Sequence, residues 1–198
     1  PLLFLFVNAF KSNNEIIASP VALPEHWTLQ YIKTAMEAIN FGKALGLTFI
    51  ITFFSILLLV IVSSFAAWAM VRSKTILSNI VFLCFTAAML VPFQSLMYPL
   101  LSVFEKMGLK NVQGLILMYG GFGLSMSVFL YHGFIKSVPA SLEEAAVLDG
   151  ANLFQMFFKV VFPLLKGTTV TVIVLNGMWI WNDYLLPFLV IGNKTGSK

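Results

Sequence analysis

The chain reads as an all-α protein, a polytopic transmembrane helical bundle, on three observations. Of its 198 residues, 59% are hydrophobic and only 10% are charged, where an ordinary soluble domain carries about a quarter charged residues. Mean hydropathy is +0.92. The charges are clustered, and the runs between them are long enough to cross a hydrocarbon core of about 30 Å.

The first residues, Pro1 to Phe10, are apolar but too short to span. No basic segment precedes them and no small-residue cleavage site follows closely, so they read as the tail of a first span rather than a signal peptide. From Lys11 to Lys43 the chain is polar, broken by Pro20 and Pro24. Trp27, Ile32, Met36 and Ile39 then recur at roughly helical spacing, which predicts a short amphipathic helix at the membrane surface. Ala44 to Val71 contains no charge; as a helix at about 1.5 Å per residue it is roughly 42 Å long, more than a bilayer core requires.

Arg72 and Lys74 make a tight polar turn before Thr75 to Phe104, again uncharged but carrying Pro92 and Pro99. Each proline removes a backbone hydrogen bond and kinks a helix, which suits either a bent helix lining a pathway or a plain packing kink. Asn111 to Ile135 is the third complete span, with Gly114, Gly120, Gly121 and Gly123 permitting close helix contact. Cys84 lies inside an apolar run and reads as a packing residue; a single cysteine excludes an intrachain disulfide or a cysteine metal cluster. Thr168 to Val190 is the last span, charged only at Asp183. Four complete spans and a partial first one are expected.

Net charge is +4 with a pI near 9.3, but the basic residues sit at the ends of apolar runs, as membrane-flanking lysines do, and make no nucleic-acid surface. Arg72, Lys74, Lys136, Lys159 and Lys166 fall on one side of the membrane; Lys11, Lys33, Lys43, Lys106, Lys110, Lys194 and Lys198 fall on the other. Charge alone does not settle the orientation and, taken naively, points against a cytoplasmic 136–167 loop.

That loop, Lys136 to Gly167, is the most polar segment between spans. Pro139 followed by Ser141-Leu142-Glu143-Glu144 predicts a capping box, with the Ser141 hydroxyl accepting from the Glu144 N–H and the Glu144 carboxylate reaching back. A helix through Ala145, Ala146 and Leu148 should stop at Asp149-Gly150. A second, from about Asn152, carries Phe154, Phe157, Phe158 and Val161 on an apolar flank and breaks or bends at Pro163. The product is a compact helical hairpin, suited to docking into a partner's cleft or simply a well-capped loop.

Glu144-Ala145-Ala146, three residues, Gly150, nine residues and Val160-Val161-Phe162-Pro163 resemble the EAA signature of ABC importer permeases, E-A-A-x3-G-x9-I-x-L-P, with Val160 for isoleucine and Phe162 for leucine. Val91-Pro92-Phe93-Gln94, Gly108-Leu109, Phe134 to Pro139 and Trp181-Asn182-Asp183-Tyr184 are similar, in the same order, to maltose-type carbohydrate permeases. The resemblance covers nearly the whole chain. It implies one permease domain over residues 1–198, of a six-span type shortened at both ends, in a bacterial inner membrane. Within it residues 136–167 are the cytoplasmic coupling loop, with Glu144, Ala145, Ala146, Asp149, Gly150 and Pro163 engaging an ATPase. It further implies a sister permease, two cytoplasmic ATPase subunits that hold ATP and Mg, and an extracytoplasmic sugar-binding protein. No cofactor, metal or catalytic residue is expected in this chain, which is read as a transport subunit and not an enzyme.

In the last span Asn176, Trp179 and Asp183 fall at i, i+3 and i+7, on one face. An amide, an indole and a carboxylate there, with Asn182 beside them, suit a sugar pathway or an external gate; an interfacial aromatic belt with a solvated Asp183 suits them as well. Pro187 leaves the Asp183 carbonyl without its helical partner, which predicts irregular backbone. His26 and His132 have no second ligand at metal spacing. Gly192 to Lys198, GNKTGSK, lacks the spacing of a phosphate-binding loop. A secondary carrier driven by an ion gradient, or an ABC permease for a non-sugar solute, are the alternatives. A carrier would place ionisable groups at the midplane, where only Asp183, toward one end, competes.

Overall fold

A computed structural model describes residues 1–192. Beyond Gly192 the GNKTGSK segment, with Lys194 and Lys198, lies outside the described residues. Regular structure among those described is entirely helical, and the chain divides into two compact units, residues 1–49 and 50–198.

In the first unit, α1 (Leu2–Asn8), α2 (Asn13–Ala18) and α3 (Gln30–Ala38) are short helices. Helix α2 starts at a true capping box: the Ser12 hydroxyl accepts from the Glu15 N–H, and the Glu15 carboxylate accepts from the Ser12 N–H at 2.7 Å. The expected amphipathic helix forms as α3 and holds Ile32 and Met36. It is shorter than its apolar spacing suggests: Trp27 precedes it, and Ile39 caps its end where Asn40 turns left-handed at φ 49°.

Helix α4 (Phe41–Ser73) realises the first long uncharged run and ends where Lys74 takes φ 49°. It and α7 (Val112–Ile135) are each long and apolar enough to cross a membrane alone. The expected second span is not one helix. It is α5 (Ile76–Ala88) and α6 (Phe93–Lys106), meeting at 105°. The break falls at Met89–Pro92 because Pro92 takes an extended conformation and caps α6, whereas Pro99 stays inside α6 without breaking it. The helical stretch Leu153–Leu164 meets α11 (Lys166–Asn182) at 77° just before the expected last span, and that span, Thr168 to Val190, is itself interrupted at Asp183 and Tyr184. Counting each bent pair as one span gives up to four.

Helix α7 is the centre of the second unit, packed by α5, by α11 and by α12 (Leu185–Ile191), while α8 (Ser141–Leu148), α9 (Leu153–Met156) and α10 (Phe162–Leu164) form the loop between α7 and α11. Asn111 caps it by accepting from the Gly114 N–H at 2.9 Å. Tyr119, Val128, Tyr131 and Ile135 on it are fully buried. Close approach is required at Gly123, where a Cβ would stand 2.6 Å from Leu59 Cδ1 and 2.8 Å from Asn176 Oδ1. Gly120 meets Leu58 the same way, while Gly121 faces open space. Tyr131 donates to Thr169 Oγ1 at 2.9 Å, bonding α7 to α11. Cys84 is exposed on α5 and is not a packing residue, since the face that α5 turns to α7 carries Phe82 and Phe85 instead.

Candidate functional site

Helix α8 (Ser141–Leu148) begins one residue earlier than a capping box at Ser141 requires. Ala140 is already helical at φ −63°, ψ −25°, so Ser141 lies inside the first turn and its hydroxyl caps nothing. The helix stops as expected. Asp149 follows it and Gly150 turns left-handed at φ +80°, letting the Ala151 N–H reach back to the Ala146 carbonyl at 3.0 Å. A Cβ on Gly150 would meet nothing, so its requirement is conformational and not steric.

The second loop helix, α9 (Leu153–Met156), has the capping box that the first lacks: Asn152 Oδ1 accepts from the Gln155 N–H, and Gln155 Oε1 from the Asn152 N–H. Phe157–Val161 then winds as a π-helix into α10 (Phe162–Leu164), with the Phe162 N–H bonded to the Phe157 carbonyl. Pro163 follows directly. Widening the turn before it accommodates a ring that cannot donate to the carbonyl of Lys159. The sharp bend comes at Leu165, after the proline and not at it. Of the expected apolar flank only Phe157 and Val161 are buried, while Phe154 and Phe158 are exposed.

Helix α8 sorts its residues into two faces. Glu143 and Ala146, three apart, are buried. Glu144, Ala145, Val147, Leu148 and Asp149 are exposed, Leu148 by 88%. Among the described residues the Glu144 carboxylate has no hydrogen-bond or ion-pair partner.

The structure also brings in a residue the sequence reading passed over. Glu143 Oε1 accepts from Arg72 Nε at 2.8 Å and lies 2.7 Å from Nη2, while Glu143 Oε2 accepts from Trp68 Nε1 at 3.0 Å. Arg72 Nη2 also donates to the Val138 carbonyl at 2.9 Å. Arg72 looked like a flanking charge and Glu143 like a neighbour of the signature. The signal that could have found the pair is two adjacent glutamates at the start of a helix, which must point to different sides of it.

At the other end of the unit, Asn176 is buried and donates to Ser127 Oγ at 3.1 Å and to the Val172 carbonyl at 2.9 Å. With Trp179 it lines a recess of about 380 Å³ that also includes Phe93, Phe122 and Ser125. Asp183 is not in that lining. It sits where α11 breaks, at ψ 127°, and accepts from Tyr119 Oη at 2.8 Å; the Tyr119 ring meets Trp179 edge-on at 5.5 Å. Asn182 stays apart, exposed and bonded back to the Met178 carbonyl. His132 stacks on Phe82 with ring centroids 3.6 Å apart.

Long apolar helices joined by a capped polar hairpin define a multi-pass membrane protein. The family model described as binding-protein-dependent transport system inner membrane component matches residues 59–197, and the chain belongs to that family. It is 47% identical over its full length to the probable starch degradation products transport system permease protein AmyC of Thermoanaerobacterium thermosulfurigenes, of which it covers 72%. It is 35% identical, again over its full length and 72% of the relative, to the multiple sugar-binding transport system permease protein MsmG of Streptococcus mutans. Over 93% of the chain and 67% of the relative it is 34% identical to the melibiose/raffinose/stachyose import permease protein MelC of Bacillus subtilis. The protein is thus a multi-pass inner-membrane permease, a transport subunit and not an enzyme, and it works with an ATPase and a substrate-binding protein.

Proposed function

We propose that this chain forms half of the translocation pathway of an ATP-driven importer for a sugar or oligosaccharide. A sister permease supplies the other half, two cytoplasmic ATPase subunits hold ATP and Mg, and an extracytoplasmic sugar-binding protein delivers the substrate. The permease domain extends over residues 1–198, with residues 136–167 as its cytoplasmic coupling loop. The names of the relatives support the substrate class, since they specify starch products, multiple sugars and raffinose-type oligosaccharides.

The observation that carries the coupling role is the outward face of α8. An unpaired Glu144 stands beside Ala145 and Leu148 on a rigid turn closed by Asp149 and Gly150, with Pro163 at the base of the hairpin. Small and apolar side chains around one acidic group suit insertion into an ATPase cleft that presents a basic residue. The recess beside Asn176 and Trp179 combines aromatic faces for stacking on a sugar ring with an amide and the Ser125 hydroxyl for its oxygens. Asp183 and Asn182 then stand at the outer gate.

Coexpression of the permease with its ATPase tests the docking role. Glu144→Lys and Gly150→Val should lose the copurifying ATPase and sugar uptake while membrane insertion is retained. Retention of both by both variants removes the docking role from this face.

A further inference from the structure

The docking reading assigns Glu144 and leaves Glu143 without a role, although Glu143 is the buried one, 8% exposed. We infer that Glu143, gripped by Arg72 and Trp68, is the positioning residue that locks the loop to α4, so that a push on α8 moves α4 as well as the spans the loop joins covalently. The inference rests on residues 141–163 being the ATPase-docking segment.

Covalent continuity ties the loop only to α7, through Val138 to Ala140, and to α11, through Leu165. Arg72, at the end of α4, is 71 residues away in sequence, yet its guanidinium spans the entry to α8, holding the Val138 carbonyl with Nη2 and the Glu143 carboxylate with Nε and Nη2. Trp68, one turn earlier and 4% exposed, takes the other carboxylate oxygen. Both oxygens of Glu143 are therefore held by α4. Sliding α8 past α4 would leave a charge unpaired away from water, the costly outcome for a buried ion pair.

The π turn that follows the second loop helix is clasped by the same stretch of α4. Phe157, fully buried, packs edge-on against Phe65 at 5.0 Å and tilted on Trp68 at 5.2 Å. A docked partner would hold the outward face of α8 while α4 holds the inward face. The adjacent glutamates divide the two tasks.

In the complete transporter reconstituted with its ATPase and binding protein, the readout is sugar moved per ATP hydrolysed, beside the amount of ATPase retained. Glu143→Gln should keep the ATPase bound and lower that ratio by roughly tenfold. The exchanged pair Arg72→Glu with Glu143→Arg should recover only part of the loss, since an arginine at 143 cannot accept from Trp68 and a glutamate at 72 cannot donate to the Val138 carbonyl. Trp68→Phe, which deletes one N–H and keeps the aromatic packing, should lower the ratio by roughly threefold at unchanged yield. A mere folding role would reduce yield and leave the ratio alone. A wild-type ratio in both Glu143→Gln and Trp68→Phe overturns the inference, as does loss of the ATPase from Glu143→Gln. Glu144→Lys reads docking separately: should it keep the ATPase, the docking reading fails and this inference with it, whereas wild-type ratios in Glu143→Gln and Trp68→Phe beside loss of the ATPase from Glu144→Lys overturn this inference alone.

Discussion

The Tyr119 hydroxyl donates to Asp183 Oδ2 across 2.8 Å, and that bond joins the central helix α7 to the break between α11 and α12. The other oxygen of Asp183 accepts from the Leu185 N–H at 3.1 Å, so the carboxylate also starts α12. Interhelical hydrogen bonds in membrane bundles contribute about 0.6 kcal/mol on average and up to about 1.7. Tyr119→Phe should therefore destabilise the detergent-solubilised protein by about 1 kcal/mol, and Asp183→Ala by more, since it loses both partners. Thermal unfolding of the two variants, followed by circular dichroism, checks the order.

Gly123 and Gly121 make a matched pair. A methyl at Gly123 would press on Leu59 and on the Asn176 amide, whereas one at Gly121 meets nothing within 4 Å. Gly123→Ala should cost about 1–3 kcal/mol, the usual range for overpacking, and Gly121→Ala close to nothing. The same unfolding measurement compares them.

At Gly150 the requirement is the left-handed backbone, φ +80°. Asparagine visits that region more readily than other side chains. Gly150→Asn should retain a large part of uptake where Gly150→Val abolishes it. Equal loss in both would mean that the position needs space for a partner and not only the turn.

In the first unit the Ser12 backbone N–H, and after it the Ser12 hydroxyl, hold the Glu15 carboxyl below its ordinary 4.5. A carboxyl lowered on folding adds stability above its unfolded value, and that stability is lost as pH falls through the lower, folded one. Hydrogen exchange at the α2 amides should accelerate as pH drops below 4.5, beyond the intrinsic pH dependence of exchange. Glu15→Gln should remove the excess, whereas Ser12→Ala, which keeps the backbone N–H, should remove only part of it.

The length and type of the helices were legible in the chain because a hydrocarbon solvent leaves one local solution for an uncharged run. α7 follows from its apolar run to within about one residue and α4 to within about three at each end, and the Asp149-Gly150 turn follows from its residue types. The signature around Glu144 was equally plain, since its residues are local, but Ala146, expected with Glu144 and Ala145 against the ATPase, turns inward because it lies one helical turn from the buried Glu143. Local rules reached less far where the chain bends: Pro92 breaks its span but Pro99 does not, and Ser141 misses its cap because Ala140 enters the helix first.

Sequence by itself therefore determined the solvent, the two unbroken long helices and the family, which depend on local composition and motifs. Only the tertiary structure decided which glutamate faces the membrane helices. Arg72 and Trp68 reach Glu143 across some 70 residues of chain, and a buried charge can be recognised as held only once the donors that surround it are in place.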